Sequence, residues 1–217
     1  RQHDPQLFLG RPLSSLAHVF SSRGFLISLH PEETVGYFRL CAIWGETLQE
    51  LFETKKIVSQ SMLSRKQIKA TLDENNHYVE QSLVCIVPHG ILTEKETDAE
   101  LPMEFILGVL NSRLESFYFS TSIIDFSLGG GLIHATPGSQ SKFVVPRADE
   151  NQIQNVVAKV NQMLTLHKQL AAAKTPHEQT VLQAQIAAAD RHIDRLVYEL
   201  YGLSDDEIKI VEEGTAS

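Results

Sequence analysis

The hydrophobic pattern divides the chain into two parts. Up to about residue 148, short apolar or alternating runs are separated by turn residues. They predict β-strands at 25–29, 36–41, 56–61, 67–72, 83–88, 132–135 and 143–146. The run at 83–88 is continuously apolar, which is typical of a buried strand. One helix is predicted at 102–119, where apolar residues recur at helical spacing: Phe105, Ile106, Val109, Leu110 and Leu114.

From about Asp149 the pattern is helical almost to the end. Apolar and neighbouring positions recur at intervals of three and four, the spacing of a coiled-coil seam: Ile153, Val156, Val160, Met163, His167 and Leu170. Thr175, Pro176 and Glu178 then supply the N-cap, the first-turn proline and the capping-box acid of a second helix. Because the connection is short, the two helices are predicted to be antiparallel neighbours.

The second helix carries two apolar rows at spacing seven, formed by Leu182, Ala189 and Leu196 and by Ile186, Ile193 and Leu200. Gly202 suits a left-handed C-cap, and Ser204 with Glu207 forms a capping box that opens a short terminal helix. The fold class predicted is α+β. A mixed, β-rich domain with a packed helix covers residues 1–148, and a long antiparallel helical hairpin with a short C-terminal helix covers 149–217.

Length and composition fit one globular domain with an appendage. The chain has 217 residues, of which 42% are hydrophobic and 21% charged. No apolar run approaches the roughly 20 residues that span a bilayer, so we expect no membrane partner and a cytoplasmic location. Because the sequence begins with Arg1, we expect a fragment of a longer protein. Cys41 and Cys85 stand among apolar residues and are expected to be reduced core thiols.

The sequence contains no recognisable catalytic or metal-binding motif. The glycine run at 129–131 lacks the Lys and Ser/Thr of a phosphate-binding loop, and the histidines do not pair at metal-ligand spacing. No Gly-x-Ser-x-Gly elbow is present. The acidic group at 205–207 is explained by the N-terminus of a helix. We therefore predict no catalytic residue, no metal site and no cofactor on this chain.

The charge distribution differs from the total charge. The formal net charge is −8, yet the segment from Thr54 to Leu72 contains five basic residues and no acidic residue. These basic residues are Lys55, Lys56, Arg65, Lys66 and Lys69. Acidic residues flank the segment on both sides. A solvated loop with chance clustering explains the pattern, and so does a binding surface for a polyanion.

Several segments together resemble a known family. Phe105 to Leu114 ends in Asn-Ser-Arg-Leu, the hairpin ends in Leu-Tyr-Gly-Leu at 200–203, and a glycine-rich strand at 130–133 precedes an exit strand at 143–146. In this order they resemble the TaqI-like C-terminal specificity domain of type IIG restriction-modification enzymes and adenine-specific DNA methyltransferases. The segments at 13–20 and 55–88 are similar to its lead-in and its strand pair. The exit strand departs from the family, whose members usually have Leu-Pro-Ile-Pro there.

The resemblance implies a DNA target-recognition domain at 1–148 with a helical spacer behind it. In that family an adenine-N6 methyltransferase domain precedes the module, in some members fused to an endonuclease. Its catalytic and cofactor-binding motifs are absent from this chain. The resemblance thus implies that S-adenosylmethionine, and Mg²⁺ if the parent also cleaves DNA, bind to other domains of the parent. The expected partners are double-stranded DNA and the methyltransferase domain of the same parent chain.

Base recognition requires side chains on base edges and further contacts to phosphates. In the basic segment, Lys55, Lys56, Lys66 and Lys69 are expected to neutralise phosphates, and Arg65 or Gln67 to contact a guanine or adenine edge. Ser59, Gln60 and Ser61 are further candidates. The polar loop 136–142 adds Ser139, Gln140 and Lys142.

Two other functions stay open at this point. The first is a protein-interaction module that dimerises through the helical hairpin and does not bind DNA. The second is a complete enzyme whose active site has no recognisable motif. A DNA-binding module is distinguished from both by duplex affinity that falls steeply with salt, because binding to phosphates releases counterions.

Overall fold

The computed structural model describes residues 10–12, 17–21, 25–27, 41–42, 52–64, 67–79, 83–88, 101–123, 127–128, 132–140 and 142–216. These residues form a mixed α+β fold, as predicted. The strands are β1 Gly10–Pro12, β2 Ala17–Ser21, β3 Phe25–Ile27, β4 Cys41–Ala42, β5 Lys56–Gln60, β6 Met62–Ser64, β7 Ala70–Asp73, β8 Leu83–Pro88, β9 Ser127–Leu128, β10 Leu132–His134 and β11 Val144–Pro146.

The largest sheet is antiparallel, with the strand order β4-β3-β2-β8-β5-β7. Strand β8 pairs with β2 on one side and β5 on the other, and its residues from Val84 to Val87 are fully buried. This confirms the predicted buried strand, because a central strand covered on both faces has no need for polar positions. Cys85 is a buried free thiol, as expected, whereas the side chain of Cys41 lies outside the described residues.

Two smaller sheets complete the β-structure. Strand β10, after the glycine run, pairs with β9 before that run and with β6, the strand that follows β5. Strands β1 and β11 pair with each other. The strands predicted at 56–61, 67–72, 132–135 and 143–146 are all present within a few residues of their predicted bounds.

The predicted helix at 102–119 is instead two helices, α1 Met103–Leu110 and α2 Arg113–Tyr118, followed by a π-helical turn at Phe119–Ile123. The prediction of one continuous helix was wrong because Ser112 interrupts it. The Ser112 hydroxyl accepts a hydrogen bond from the Glu115 N–H at 3.2 Å and caps α2. The segment predicted as a loop at 136–142 contains a short helix, α3 Pro137–Gln140, whose start is stabilised by the hydroxyl of Thr136.

The C-terminal part forms the predicted hairpin of α4 Glu150–Ala172 and α5 Pro176–Tyr201, followed by α6 Asp205–Thr215. The caps are confirmed. The Thr175 hydroxyl accepts from the Glu178 N–H at 3.2 Å, Gly202 adopts a φ of 65°, and the Glu207 carboxylate accepts from the Ser204 N–H at 2.9 Å. In the described part of the chain, no helix combines the length and the apolar character needed to cross a membrane.

One hydrophobic core extends from the β-rich part into the hairpin. Helix α1 buries Phe105, Ile106 and Val109 in the same cluster as Val156 of α4 and Ile193 of α5. Gly108 permits this approach, because a Cβ at its position would lie 2.8 and 2.9 Å from methyl carbons of two α4 valines. The boundary predicted at 148/149 stays a prediction, and the core crosses it.

The seam between α4 and α5 is buried mainly in the part of the hairpin that is close to the β-rich part of the chain. Ile153, Val156 and Val160 are buried as predicted, but His167 is exposed and Leu166 is buried in its place. The assignment of His167 to the seam was therefore wrong. An α-helix repeats every 3.6 residues, so a strict alternation of three and four drifts off the apolar face over several turns.

Two buried carboxyl groups connect α2 to the hairpin. Asp194 of α5 accepts a hydrogen bond from the Arg113 N–H at 2.8 Å, and its other oxygen lies 3.4 Å from Arg113 Nε. Burial raises the pKa of Asp194 to about 6. Two residues further along α2, Oε1 of Glu115 lies 2.8 Å from the hydroxyl of Tyr201. That hydroxyl also hydrogen-bonds the carbonyl of Val144, so one tyrosine connects α2, α5 and β11.

Candidate nucleic-acid interface

The two segments predicted to contact DNA lie side by side. The Ala135 N–H donates to the Ser61 carbonyl at 2.7 Å, and the side-chain amide of Gln140 donates to the carbonyls of Gln60 and Ala135 at 3.4 and 3.3 Å. The Gln60 N–H donates to the Lys69 carbonyl at 3.1 Å. Segments that are about seventy residues apart in sequence therefore share one surface.

The exposed or partly exposed members of this surface form what we call the polar face: Gln60, Gln67, Lys69, Ser139 and Lys142. Gln67 and Lys69 are exposed on either side of buried Ile68, as the alternation of an extended segment requires. The face thus carries amide and hydroxyl groups that can hydrogen-bond base edges, together with two ammonium groups that can pair with phosphates.

Other candidates are removed by burial. Lys56, Ser59, Ser61 and Gln140 have 0%, 1%, 4% and 1% of their surface exposed, so the expectation that these side chains contact DNA is corrected. Ser59 lies in β5 between β7 and β8, and Ser61 lies between the ends of β5 and β6. Gln140 uses its amide to bridge two backbone carbonyls, which makes it a support for the polar face.

Lys56 is buried because a carboxylate is buried with it. Its ammonium group lies 2.5 Å from Asp73 Oδ2 and donates to the Phe52 carbonyl at 2.6 Å. Asp73 also accepts from the backbone N–H groups of Asn75 and His77, at 3.0 and 2.9 Å, and so holds the turn after β7. Burial by itself raises the pKa of Asp73, but these hydrogen bonds, that from Lys56 first, bring the pKa well below its usual range.

Lys55 is exposed, but its charge is balanced locally. Its ammonium group lies 2.5 Å from Glu104 and 3.3 Å from Glu74. It also lies just before β5, at the other end of that strand from Gln60, roughly 16 Å away at about 3.3 Å per strand residue. Lys55 is therefore separate from the polar face and has two carboxylates competing with any phosphate. Arg65 and Lys66 lie outside the described residues.

Two residues that were not among the candidates hold the polar face in place. The Asn111 side chain accepts from the Ala70 N–H at 2.8 Å and donates to the Ala70 carbonyl at 3.0 Å. The Ser116 hydroxyl accepts from the Ile68 N–H at 3.2 Å. The signal available in the sequence is polar residues at the inner positions of an otherwise apolar helical segment, but their partner strand is not visible there.

The described residues contain no group of three or more His, Cys, Asp or Glu side chains that could hold a metal ion. The buried carboxyl groups with raised pKa values, Glu115 and Asp194, bond the hydroxyl of Tyr201 and the backbone of Arg113 and are not part of the polar face. What the polar face offers is hydrogen bonding and positive charge on a rigid backbone, which suits recognition.

Residues 32–128 match the family model of the TaqI-like C-terminal specificity domain, which confirms the predicted resemblance. Residues 32–128 are thus similar to a specificity domain of restriction-modification systems. The matched region includes β5, β7 and β8, the helices α1 and α2 and the Asn-Ser-Arg-Leu segment. Ser139, Lys142 and the helical hairpin lie beyond it. No curated protein matches the chain.

Proposed function

We propose that this chain is the DNA target-recognition part of a cytoplasmic site-specific adenine-N6 DNA methyltransferase, whose catalytic domain lies outside the sequence. The observation that carries the proposal is the polar face within and beside the matched specificity domain. It presents Gln60, Gln67 and Lys69 from a backbone held on both sides.

The distribution of charge fits a module in which one part of the surface binds DNA and the rest does not. A net charge of −8 disfavours DNA binding over the whole surface, whereas the segment from Thr54 to Leu72 is free of acidic residues. On the described part of this segment, Lys56 is paired internally and Lys55 faces two glutamates. Of the described lysines in this segment, Lys69 is the one exposed on the polar face. Lys142, from the loop at 136–142, is the second lysine of that face.

The proposed mechanism is recognition in the major groove followed by delivery of the target base. Amide side chains such as Gln60 and Gln67 can bond an adenine edge in two places, and lysines set the register on phosphates. An enzyme that methylates adenine N6 must take the base out of the helix, so a recognition domain has to hold the duplex while the base is flipped. S-adenosylmethionine would bind to the methyltransferase domain of the parent, which is the second partner of this module.

The test is binding of short random-sequence duplex DNA across a salt series. We expect log affinity to fall linearly with log salt between about 50 and 200 mM, because the interaction is with phosphates. Charge reversal at Lys66 and Lys69 together should lower affinity and reduce the salt slope by roughly 2. The matched control reverses Lys168 and Lys174, exposed lysines of the hairpin, and should leave the slope unchanged.

The alternative is a dimerisation module built on the hairpin. It is favoured by the exposed distal half of that hairpin, where Val181 has 42% of its surface exposed. Undetectable duplex binding at low salt, with tight self-association in sedimentation, would replace the DNA proposal by this one. The adenine specificity is tested separately, by assaying the full parent polypeptide for N6-methyladenine in duplex DNA with S-adenosylmethionine supplied.

A further inference from the structure

Strand β7 forms an edge of the six-stranded sheet, and a side chain occupies that edge where a neighbouring strand would lie. Toward β5, the Lys69 carbonyl accepts from the Gln60 N–H. On the opposite side, the N–H and the carbonyl of Ala70 both bond the carboxamide of Asn111, at 2.8 and 3.0 Å. An amide bonded in both directions to one backbone residue replaces the hydrogen bonds of a β-partner.

The second bond on this edge strengthens the arrangement. The Ile68 N–H donates to the buried Ser116 hydroxyl at 3.2 Å. Residues 68–70 are therefore held from both sides, by β5 and by the segment that includes α2. A slip of one residue would place Ile68 in solvent and Lys69 in the core, because successive side chains of an extended chain point to opposite faces. The bonds to Asn111 and Ser116 oppose that slip.

The chemistry of the site selects asparagine. Ala70 presents one donor and one acceptor, so its partner must supply one of each at the same distance. An aspartate supplies only acceptors at neutral pH and would leave the Ala70 carbonyl facing a negative oxygen. An alanine would leave both groups of Ala70 without this partner.

The turn between α1 and α2, which carries Asn111, is also bonded to the hairpin. Arg113 follows Asn111 by two residues, and both its backbone N–H and its guanidinium contact the buried carboxylate of Asp194 on α5. The path from the hairpin to the polar face is thus short: Asp194, Arg113, the turn at Asn111, and then the backbone of Ala70 beside Lys69.

We propose that Asn111 is a positioning residue for DNA recognition, which sets the register of residues 67–69 and so holds Lys69 on the DNA backbone. The inference rests on the proposed function. It assigns to the asparagine of the Asn-Ser-Arg-Leu segment a role in the interface, although Asn111 bonds only the backbone of the strand that carries it.

The experiment is a double-mutant cycle on duplex binding with Asn111→Ala, Lys69→Ala and the double variant, each across a salt series with short random-sequence duplex DNA. Lys69→Ala should reduce the salt slope by about 0.9, the value for one phosphate contact. If Asn111 acts through Lys69, Asn111→Ala should reduce the slope by a similar amount, and the double variant should show little further change.

A purely structural role would leave a different signature. A destabilised protein contains fewer active molecules, but each active molecule keeps its salt slope. Thr175→Ala removes a helix cap in the hairpin and serves as the control for this effect, with an unchanged slope expected. Asn111→Ser keeps a small, uncharged polar side chain that cannot bond both groups of Ala70, and it serves as the milder variant if Asn111→Ala does not fold.

The outcomes separate the two proposals. Absence of salt-dependent binding by the unmodified chain overturns the proposed function, and this inference with it. Binding by the unmodified chain, together with an unchanged slope in the Asn111 variant that folds and additive effects in the cycle, overturns the role of Asn111 alone. Coupling between the two positions with a reduced slope supports it.

Discussion

Replacing Glu115 with glutamine is expected to remove a large pH dependence from the stability of this protein. The Tyr201 hydroxyl has a single proton, and it lies within hydrogen-bonding distance of both Glu115 Oε1 and the Val144 carbonyl. An ionised Glu115 would make both neighbours acceptors and would leave one of them without a donor. A protonated Glu115 donates to the tyrosine oxygen, and the tyrosine then donates to Val144.

The magnitude follows from the burial of the carboxyl group. Glu115 has 2% of its surface exposed and its Oε2 has no hydrogen-bond partner among the described residues. Burial raises the pKa of Glu115 from 4.5 to about 8, with the Tyr201 hydrogen bond acting in the opposite direction. Between these two values the folded state binds a proton that the unfolded state does not. Stability is therefore full below about pH 4.5 and is lost as pH rises toward about 8.

The loss amounts to about 1.4 kcal/mol per pH unit within this window, or on the order of 4 kcal/mol in total. In the Glu115→Gln variant an amide donor replaces the carboxylic acid and does not titrate. We expect the variant to match the unmodified protein near pH 5 and to exceed its stability by several kcal/mol near pH 8. The melting temperature should differ there by roughly 10 °C, at about 2–4 °C per kcal/mol.

The assay is urea unfolding, followed by circular dichroism, of both proteins at several pH values between about 5 and 8. Asp194 also has a raised pKa, but it is present in both proteins and cancels in their difference. Glu199→Gln changes an exposed glutamate of α5, the helix that carries Tyr201. It is the matched control, and its stability curve should run parallel to that of the unmodified protein. Parallel curves for Glu115→Gln would refute the assignment of a buried, protonated carboxyl group.

Three further substitutions test the packing and the charges, each by the free energy of unfolding in urea. Gly108→Ala should destabilise by about 1–3 kcal/mol, because the new Cβ would lie 2.8 and 2.9 Å from methyl carbons of α4; an unchanged midpoint would contradict this close contact. Gly202→Ala should cost about 1 kcal/mol at a φ of 65°, and Gly202→Asn less. Lys56→Met should cost about 3–5 kcal/mol at neutral pH by leaving the buried Asp73 carboxylate without its ammonium partner, whereas Lys55→Met at the exposed neighbour should cost at most about 1 kcal/mol. Equal effects at the two lysines would show that burial does not distinguish them.

The elements that could be predicted are those whose signals are local. The apolar run of β8 and the capping residues around Thr175 and Gly202 each lie within a few neighbouring residues, and each is found as predicted. The apolar periodicity of α4 is also found at Ile153, Val156 and Val160, although not at His167. The family resemblance depends on such local segments too, which is why it was visible before the fold was known.

The features that could not be predicted depend on distant partners. Lys56 appears in the sequence as one of several basic residues, and only the return of the chain at Asp73 places a carboxylate beside it. Likewise, α2 begins after Ser112 because the Ser112 hydroxyl accepts a hydrogen bond from the Glu115 N–H. Helical periodicity does not reveal whether the chain continues as one helix or begins a second one at this residue. The apolar spacing of α1 and α2 is compatible with both arrangements.

The polar face was predicted in part for the same reason. Lys69 and Gln67 were identified from charge and polarity, and they are exposed as expected. Ser59 and Ser61 were included because they share that segment, but their burial is determined by the approach of β6, β8 and β10. Their contact with DNA could be judged only after the strands were paired.

The hydrogen bonds that assemble the polar face have a consequence for how its specificity can change. They join the carbonyls and N–H groups of Gln60, Ser61, Lys69 and Ala135 to one another and to the buried amide of Gln140. Backbone groups are the same in every amino acid other than proline, so the exposed side chains can be exchanged while the support stays intact. On the proposed function, a face built in this way separates the DNA sequence that it recognises from the fold that carries it, and lets a new recognition sequence arise by substitutions at the surface alone.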